Sequence, residues 1–572
     1  MKLFGTILAA GIAIAAPAAD VTIEKPYFRW LFYGFGFQHS EANFTALMPD
    51  DFRDQRVLKT FAELSPTFAR VYTGFADQSK EQLDRFADYY DQTFRKAETT
   101  LYAVPCAMPL AEGLDADEYA EKVAKNLEYL VKVRNCRKIR YYCLTNELMN
   151  DEKWGWFGFG KDRDAEARRQ LFRKFYVALF HAFRRHGLDI RLLASDQSAS
   201  PNPEAAKSVY PMLDWIKANM GSYVGVYCTH WYAGGRVDDL GLWDKYNFCF
   251  SNLVQRALSC NAKRYILGEF GFSPGGGVKR GVMVDDASHH VRRPDQKCET
   301  VLCKCEMGLA AMNQGTAACL SWTFVDYPDP FVIEDGDSPE SRAVYEAGKC
   351  GWRMDVKYNK WGVFRWSTTD RDYSAYEELY AMGWLVKLFR KNATVLACTF
   401  ADPMLRGGAV MNPDQSVSIA LINRGAAKSV TVDCSSWKTR VDGTPTLHQP
   451  LRRYVYEAAH VPYSPFNDLQ PMSGTVEAKD GVFAAELPAK SITFLTTDYE
   501  DREPSPVTEI LGADGKLVWG ASDDPTHRYY RVFRDGKQIA STVATSLPMP
   551  GIRPADVSHF AVKSVDKWGN AR

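Results

Sequence analysis

The sequence predicts an α/β fold: a closed (β/α)8 TIM barrel followed by a β-sandwich and a short third β module. Between residues 27 and 391, eight short apolar segments alternate with amphipathic segments of helical period. Long polar or glycine-rich stretches follow the first, fourth, sixth, seventh and eighth apolar segments, where loops at the carboxyl-terminal face of a barrel would lie. After Arg390 the helical period disappears and short β-type runs replace it.

The composition is that of a globular protein with two to four domains. The chain has 572 residues, of which 46% are apolar and 24% are charged. Lys and Arg together number 70, as do Asp and Glu, so the formal net charge is zero. This balance argues against a nucleic-acid partner, which a surplus of positive charge would attract.

The eight apolar segments lack a strict alternation of apolar and polar residues, as expected of strands that are buried on both faces. In chain order they are Leu31–Phe37, Thr67–Tyr72, Thr99–Pro105, Ile139–Leu144, Ile190–Ala194, Tyr223–Cys228, Tyr265–Gly268 and Ala317–Trp322. 

The segments between these strands carry apolar residues at helical spacing. The clearest helices are predicted over Asp115–Arg134, Asp164–His186, Pro203–Met220, Leu242–Cys260 and Tyr373–Arg390. An open, doubly wound sheet is the alternative architecture, but no G-x-G-x-x-G motif follows a strand.

The chain after the barrel is predicted to be β-structured throughout. Residues 392–500 contain β-type runs such as Val417–Ile422, separated by turn residues, which predicts a β-sandwich. Residues 503–572 contain strand–turn–strand patterns, with Arg534-Asp535-Gly536 as one turn, and resemble part of a fibronectin type III module.

Residues 1–19 predict a secretory signal peptide. Lys2 precedes an apolar run from Leu3 to Ala16, and the small residues Ala16-Pro17-Ala18 follow it. Cleavage near Ala18 would make the mature protein secreted or periplasmic. Because no later segment reaches 18 consecutive apolar residues, we expect no membrane span in the mature protein.

The cysteines do not predict a metal site. Cys303-x-Cys305 lacks the second ligand pair that a zinc site needs. We therefore expect neither a metal nor an organic cofactor. Five of the 13 cysteines lie in apolar runs and are expected to be small buried side chains: Cys106, Cys143, Cys228, Cys249 and Cys319.

Two glutamates follow predicted strands directly. Glu147 and its neighbour Asn146 come after the fourth strand, and Glu269 comes after the seventh, so both glutamates would point into the same mouth. Cleavage of a glycosidic bond needs an acid at the leaving oxygen and a carboxylate at the anomeric carbon. Asn146 could bond a sugar hydroxyl. Acidic residues in this position can also simply cap the next helix.

Because of these two glutamates and the strands before them, residues 27–391 resemble a clan A glycoside hydrolase of the family 39, 30 or 5 type. Members of this clan are retaining enzymes with catalytic glutamates on barrel strands four and seven. "TNE" matches the acid/base position, which implies Glu147 as general acid and then general base. "LGEFG" matches the nucleophile position, which implies Glu269 as the covalent nucleophile.

The same resemblance assigns supporting roles, although each residue type also has an ordinary structural role in a protein core. It implies that Arg70 holds the nucleophile ionised and that His230 and Tyr232 lie beside the nucleophile. It also implies that Trp322 is a platform for a sugar ring, and that Gln38 and His39 lie at the mouth of strand one.

Other segments depart from the clan pattern or are less specific. The loop after strand seven contains Gly275-Gly276-Gly277 without the Lys-Ser/Thr of a P-loop, and is interpreted as a lid or crevice wall. His289 and His290 in that loop are expected to be solvated. Several aromatic residues lie in candidate mouth loops and could line subsites: Trp154, Trp156, Phe157, Trp231 and Trp243.

The resemblance thus implies a secreted retaining enzyme that cleaves β-type O-glycosidic bonds of a polysaccharide or oligosaccharide, its only expected partner. Two alternatives remain open: a barrel that binds carbohydrate without catalysis, and a transglycosylase that uses the same two glutamates. The sugar, the linkage and the oligomeric state remain open as well. A Ser/His/Asp hydrolase is disfavoured because no G-x-S-x-G motif occurs.

Overall fold

The computed structural model describes residues 19–25, 31–39, 48–105, 114–147, 165–198, 209–235, 238–259, 263–274, 294–325, 362–364, 373–437, 443 and 446–572. Within these residues the chain forms a closed eight-stranded parallel barrel, a ten-stranded, mostly antiparallel sheet and two three-stranded sheets. The predicted fold class is therefore confirmed. The predicted signal peptide lies outside the described residues, except for its last position.

Two short strands, β1 (Val21–Glu24) and β2 (Leu31–Phe32), precede the barrel. The barrel closes in the order β10-β3-β4-β5-β6-β7-β8-β9. Its strands are β3 (Phe35–His39), β4 (Phe68–Tyr72), β5 (Thr100–Val104), β6 (Ile139–Cys143), β7 (Arg191–Ser198), β8 (Val226–Gly235), β9 (Arg264–Pro274) and β10 (Cys319–Ser321).

All eight predicted strands are present, but the ends of several differ from the prediction. The first predicted segment is divided at Gly34, whose φ of +117° suits glycine and whose added Cβ would lie 2.2 Å from Thr67 Oγ1. Before this break, β2 pairs with Ala393 and Thr394, outside the barrel. β8 and β9 extend beyond the predicted ends because they pair with each other as far as Gly235 and Pro274.

Nine α-helices are found in the described residues. Ser79 caps the third with a capping box and Asp115 caps the fourth, so local sequence signals set both starts. The helices are α1 (Asp50–Phe52), α2 (Leu58–Leu64), α3 (Lys80–Gln92), α4 (Ala116–Glu128), α5 (Ala165–Arg185), α6 (Val209–Met220), α7 (Leu242–Leu258), α8 (Pro294–Asn313) and α9 (Glu377–Leu388). 

The ten-stranded sheet folds around its own apolar core and packs against α8 and α9. Its order is β16-β15-β18-β13-β12-β11-β1-β14-β17, with β2 paired to β11. β1 was not predicted from the sequence; the indole of Trp437 holds this strand by donating to the Ile23 carbonyl at 2.6 Å. The later strands are β11 (Ala393–Phe400), β12 (Leu405–Met411), β13 (Val417–Asn423), β14 (Lys428–Asp433), β15 (Leu451–Glu457), β16 (Gly474–Val476), β17 (Val482–Leu487) and β18 (Ser491–Thr496).

The last part of the chain forms two small antiparallel sheets around a separate core, in the orders β19-β20-β23 and β22-β21-β24. The predicted turn at Asp535-Gly536 joins β21 to β22, and both residues have positive φ, as a two-residue hairpin turn of type I′ requires. The strands are β19 (Leu511–Ala513), β20 (Lys516–Val518), β21 (His527–Arg534), β22 (Lys537–Thr542), β23 (Ser546–Pro548) and β24 (Phe560–Asp566).

Five cysteines are predicted to be buried. The structure describes four of them and all four are buried: Cys143, Cys228, Cys249 and Cys319. Cys106 lies outside the described residues. Among the described helices, we find none with the length and apolar character needed to cross a bilayer.

Replacing Gly34 should destabilise the junction between barrel and sheet. We expect Gly34→Ala to lower the free energy of unfolding by about 2–4 kcal/mol, because alanine is strained at this φ and its Cβ would overlap Thr67. Denaturant titration of the full chain measures the change. Gly425→Ala is the control, since its Cβ would meet nothing nearer than 3.5 Å. Equal stability of the two variants would contradict the account.

Candidate active site

The carboxyl ends of the barrel strands bring a set of polar side chains to one level. Gln38 on β3 is in register with Arg70 on β4, and Arg70 is in register with Tyr102 on β5. On the far side of the barrel, His230 on β8 is in register with Glu269 on β9. This end is where (β/α)8 proteins build their sites.

The Arg70 guanidinium is fully buried at the centre of this cluster. One terminal nitrogen donates to Glu269 Oε1 and, at 2.7 Å, to Gln38 Oε1. The other donates to Asn146 Oδ1 and, at 2.8 Å, to Asp196 Oδ2. Burial alone would lower the pKa of Arg70, but the negative charges around it, Asp196 foremost, raise the pKa well above its usual value.

Both oxygens of Glu269 accept hydrogen bonds. Besides the bond from Arg70, Oε1 accepts from the Tyr72 hydroxyl at 3.0 Å, and Oε2 accepts from the Tyr232 hydroxyl at 2.7 Å. The rings of the half-buried Trp322 and of Tyr72 pack edge to face, with centroids 5.5 Å apart. The Glu269 carboxylate is therefore held in one orientation beside an aromatic side chain.

Glu147 follows β6 and faces Glu269 across His230. His230 Nδ1 lies 2.9 Å from Glu147 Oε1 and 3.5 Å from Glu269 Oε2. An oxygen of each carboxylate and a His230 nitrogen all lie within 4.8 Å of one another. The Glu147 side chain is 16% exposed and that of Glu269 is 5% exposed, so Glu147 is the more accessible of the two.

Asp196, which the sequence analysis did not single out, is the buried carboxylate behind both His230 and Arg70. Its Oδ1 lies 2.8 Å from His230 Nε2 and accepts from the Tyr102 hydroxyl at 2.8 Å. Burial would raise the pKa of Asp196, but Arg70 and His230 together lower it well below its usual range.

The backbone places Asp196 through two irregularities. The register between β7 and β8 shifts between Ser195 and Gln197, so Asp196 is a bulged residue with a φ of +51°. Its carbonyl accepts from the backbone amide of Glu147, which also has a positive φ of 52°. Residues held in this sparsely populated region cluster at functional sites.

Gly268 leaves the space that the Asp196 carboxylate occupies. A Cβ at this position would lie 2.9 Å from Asp196 Oδ1, 2.7 Å from the Tyr102 hydroxyl and 2.4 Å from Cys228 Sγ. The register shift between β8 and β9 skips Gly268 and brings Glu269 opposite His230. Gly268, the residue before Glu269, thus makes room for Asp196 and Tyr102.

His230 is an imidazolium in this environment. Burial by itself would lower its pKa, but the charges of Glu269 and Asp196, with hydrogen bonds to Asp196 and Glu147, raise the pKa to about 10. At neutral pH both ring nitrogens therefore donate. An imidazolium offers no lone pair to a cation, so a metal ion at Glu147, His230 and Glu269 would first have to displace this proton.

Seven of the nine predicted site residues belong to one hydrogen-bonded cluster: Gln38, Arg70, Asn146, Glu147, His230, Tyr232 and Glu269. Trp322 lies beside this cluster. The His39 carbonyl accepts from Gln38 Nε2 at 3.1 Å, but side chains alternate along β3 and that of His39 faces outward. It packs against Phe61, Phe94 and Phe324 instead.

The aromatic residues proposed to line subsites have mixed outcomes. Trp231 is buried against Tyr246 and Phe250 on α7, and therefore belongs to the core rather than to the mouth. Trp243 likewise packs on the core. The other aromatic candidates, Trp154, Trp156 and Phe157, lie outside the described residues. So do the loop with Gly275-Gly276-Gly277 and its two histidines, His289 and His290.

Three residues of the cluster were missed in the sequence: Tyr72, Tyr102 and Asp196. Alternation along β4 carries a signal for Tyr72, because it lies two residues after Arg70 and so shares its face. The polar run Ser195-Asp196-Gln197 directly after the fifth predicted strand is a weaker signal. Nothing in the sequence marks the bulge that turns Asp196 inward.

No protein-family model and no curated protein matches this sequence. Solved structures do match. The bacterial orthologue of human α-L-iduronidase is 15% identical, with a TM-score of 0.53, and the alignment covers 97% of this chain and 98% of that one. A family 30 endoxylanase from Clostridium papyrosolvens is 15% identical, with a TM-score of 0.50 and coverage of 84% and 99%. A family 51 arabinofuranosidase from Xanthomonas axonopodis pv. citri is 12% identical, with a TM-score of 0.51 and coverage of 84% and 100%.

The chain has the fold of clan A glycoside hydrolases. The glycoside hydrolase resemblance noted in the sequence therefore holds at the level of the fold. The likeness to the iduronidase orthologue extends over nearly the whole chain, whereas the likeness to the other two enzymes covers about five-sixths of it.

Removing the charge of Asp196 should lower the pKa of His230. We expect Asp196→Asn to move the His230 titration from about 10 toward neutral pH, since asparagine supplies no negative charge. Nitrogen-15 NMR of histidine-labelled protein measures both states. His186 is an internal control, because its partners Glu121 and Glu128 are unchanged. An unaltered His230 titration would show that Asp196 does not hold this proton.

Proposed function

We propose that this protein is a retaining glycoside hydrolase, with Glu269 as nucleophile and Glu147 as acid/base. The observation that carries the proposal is the pair of carboxylates of Glu147, which follows β6, and Glu269, which lies within β9: they have oxygens within 4.8 Å of each other. Retaining enzymes hold their two carboxyl groups about 5–5.5 Å apart, whereas inverting enzymes need about 6.5–9.5 Å to admit a water. The short separation supports retention.

The hydrogen bonds around Glu269 select its attacking atom. A carboxylate oxygen has two lone-pair sites. Oε1 uses both, toward Arg70 and Tyr72. Oε2 accepts one short hydrogen bond, from Tyr232, and lies 3.5 Å from His230 Nδ1, which donates to Glu147 at 2.9 Å instead. Oε2 therefore keeps a lone pair for the anomeric carbon and is the proposed nucleophilic atom.

The position of Glu147 suits proton transfer at the leaving oxygen. It is the more accessible carboxyl group, and its Oε1 is held by His230 while Asp196 holds the other side of the imidazolium. Its backbone amide is also fixed, by the Asp196 carbonyl at 2.8 Å. A general acid must lie within hydrogen-bond reach of the group it protonates, and these contacts fix where Glu147 can reach.

The reaction then proceeds in two displacements. Glu269 Oε2 bonds to the anomeric carbon as the glycosidic C–O bond breaks, and the proton of Glu147 goes to the departing oxygen. In the second step Glu147 takes a proton from water, and the water oxygen displaces Glu269. We assign to Trp322 and Asn146 the roles of holding a sugar ring and one of its hydroxyl groups. Two inversions at one carbon give net retention.

The proposed substrate is a β-linked polysaccharide or oligosaccharide, cleaved outside the cytoplasm. The location rests on the signal peptide predicted over residues 1–19. The substrate class rests on the clan resemblance and on the arrangement of the two glutamates. The proposed steps use no cofactor.

Substituting the two glutamates separately should give different losses of activity. On an aryl β-glycoside, we expect Glu269→Ala to lower kcat/KM by about 10⁴-fold or more, because the covalent intermediate cannot form. Glu147→Gln should lower the rate of the first displacement by about 10²–10⁴-fold when the leaving group is poor. With dinitrophenolate, which departs without a proton, the loss in that step should be much smaller. Pre-steady-state release of the phenol measures it.

Glu81→Gln is the matched control, since this glutamate on α3 is 81% exposed and should leave the rate unchanged. Circular dichroism confirms that each variant is folded. Wild-type rates in Glu269→Ala, or a leaving-group effect that Glu147→Gln does not alter, would contradict the assigned roles.

A further inference from the structure

The amino-terminal face of the barrel, formed by the starts of its strands, carries a surplus of positive charge. In the first two residues of each barrel strand and the three residues before it, the described chain has only two carboxylates, Glu98 and Asp189. The cations in the same positions are Arg137, Lys138, Arg140, Arg191, Lys263 and Arg264. Because the whole chain has a formal net charge of zero, this surplus is a local segregation of charge.

Two of these cations lie on the inner face of the barrel. Residues in register on neighbouring strands share a face of the sheet. Arg191 is in register with Tyr141, and Arg264 is in register with Val226. Tyr141 and Val226 belong to the buried cluster that fills the barrel. Barrel interiors are mostly filled by branched apolar side chains, so two arginines in the first layer mark this opening as polar.

Aromatic rings hold one of the two guanidinium groups in place. Arg264 lies over the ring of Tyr33, 5.3 Å from its centroid, and donates to the Leu31 carbonyl at 2.5 Å. The Tyr33 ring in turn stacks on Phe68, with centroids 6.2 Å apart. A stacked guanidinium keeps the N–H groups at its edge for a ligand.

Most cations of this face have no carboxylate partner among the residues that the structure describes. Glu98 pairs with Lys138, and Asp189 pairs with Arg140. Within the described ranges, no carboxylate lies at ion-pair distance from Arg137, Arg191, Lys263 or Arg264. Lys391, which follows α9, adds a further cation and donates to the hydroxyl of Thr100 at the start of β5.

The cations are close enough to act on the same groups. Burial lowers the pKa of Lys391, and the positive charges of Lys138 and Arg140 lower it further. Burial raises the pKa of Tyr141 to about 12, and three positive charges act against this rise: Arg191, Arg140 and Arg264. Like charges held together repel one another and attract a counter-ion, so a bound anion would relieve the repulsion.

The arrangement suits a chain of anionic groups better than a single anion. Guanidinium groups bind carboxylate and sulfate through paired hydrogen bonds. Neighbouring strands lie about 4.8 Å apart, so Arg140 on β6 and Arg264 on β9 mark a face about 14 Å wide along the sheet. One carboxylate or sulfate cannot span this width, whereas a polymer with repeated charges can.

Two observations select the kind of polymer. Arg191 and Arg264 lie on the inner face of their strands, which a flexible chain reaches more readily than the flat surface of a membrane does. The signal peptide predicted over residues 1–19 directs the protein out of the cytoplasm and thus away from nucleic acids. Sugars that carry carboxylate or sulfate groups supply such a chain.

We propose that the amino-terminal face of the barrel binds an acidic polysaccharide. This face lies at the opposite end of the strands from Glu147 and Glu269, so the bound polymer leaves the mouth open. The proposal does not depend on the proposed hydrolysis. Binding here would keep the mouth at a high effective concentration of glycan.

Calorimetry on the full Glu269→Gln chain tests the proposal, because this substitution blocks turnover at the mouth. The acidic probes are polygalacturonate and dextran sulfate, and the neutral probe is dextran. We expect at least one acidic polymer to bind and dextran not to bind. Raising NaCl from about 0.05 M to about 0.3 M should weaken the binding about tenfold or more, because salt screens exposed charges.

Two substitutions, made in the Glu269→Gln chain, locate the binding. Arg191→Gln removes an exposed guanidinium, and we expect the affinity to fall about five- to tenfold. Lys263→Gln should lower it about threefold, because an ammonium group cannot form the paired hydrogen bonds. Arg553→Gln is the matched control, since it also removes one positive charge but lies in the last β module, where the side chain is 77% exposed.

Four results would overturn the proposal. These are no binding of either acidic polymer, binding that salt does not weaken, equal affinities of Arg191→Gln, Lys263→Gln and the Arg553→Gln control, and tighter binding to phosphatidylglycerol vesicles or to single-stranded DNA. Hydrolysis of an aryl glycoside is measured separately on the wild-type chain. A lack of hydrolysis would contradict only the proposed function, and a lack of binding would contradict only this proposal.

Discussion

The buried guanidinium of Arg70 constrains the whole mouth of the barrel. A buried charge is tolerated only when partners surround it, and removing one partner of such a pair typically costs about 3–5 kcal/mol. Arg70 draws its partners from different strands: Gln38 from β3, Asp196 from β7 and Glu269 from β9, with Asn146 just after β6. One side chain thus fixes the relative positions of several groups, of which Glu269 lies 199 residues from Arg70 in the chain. The substrate would meet a site whose geometry is already set.

The charges behind the two glutamates cancel when His230 is an imidazolium. Arg70 and His230 are then positive, and the carboxylates of Asp196 and Glu269 in contact with them supply the balancing negative charge. The pKa of about 10 for His230 keeps this balance at neutral pH. Glu147 is the more exposed of the two glutamates and therefore the one that water reaches more easily, as the proposed acid/base role requires.

The sequence predicted the parts of the fold and site that depend on local patterns. Glu147 and Glu269 were visible because each follows a short apolar strand, and strand ends share one mouth in a parallel barrel. Asp196 was missed because a one-residue bulge, which no local pattern announces, turns its side chain inward. His39 was misplaced because alternation along β3 allows only one of two adjacent residues to face the mouth. β1 was missed because its partner strand, β11, begins at Ala393.

The central claim is that Glu269 forms a covalent bond to the sugar, and trapping that bond tests it most directly. A 2-deoxy-2-fluoro glycoside with a good leaving group slows the second displacement more than the release of the leaving group, so the intermediate accumulates. Mass spectrometry of the digested protein should find the fluorosugar on the peptide that contains Glu269, with Glu147 unmodified. An adduct on another residue, or turnover that gives the inverted anomer without any adduct, would contradict the account.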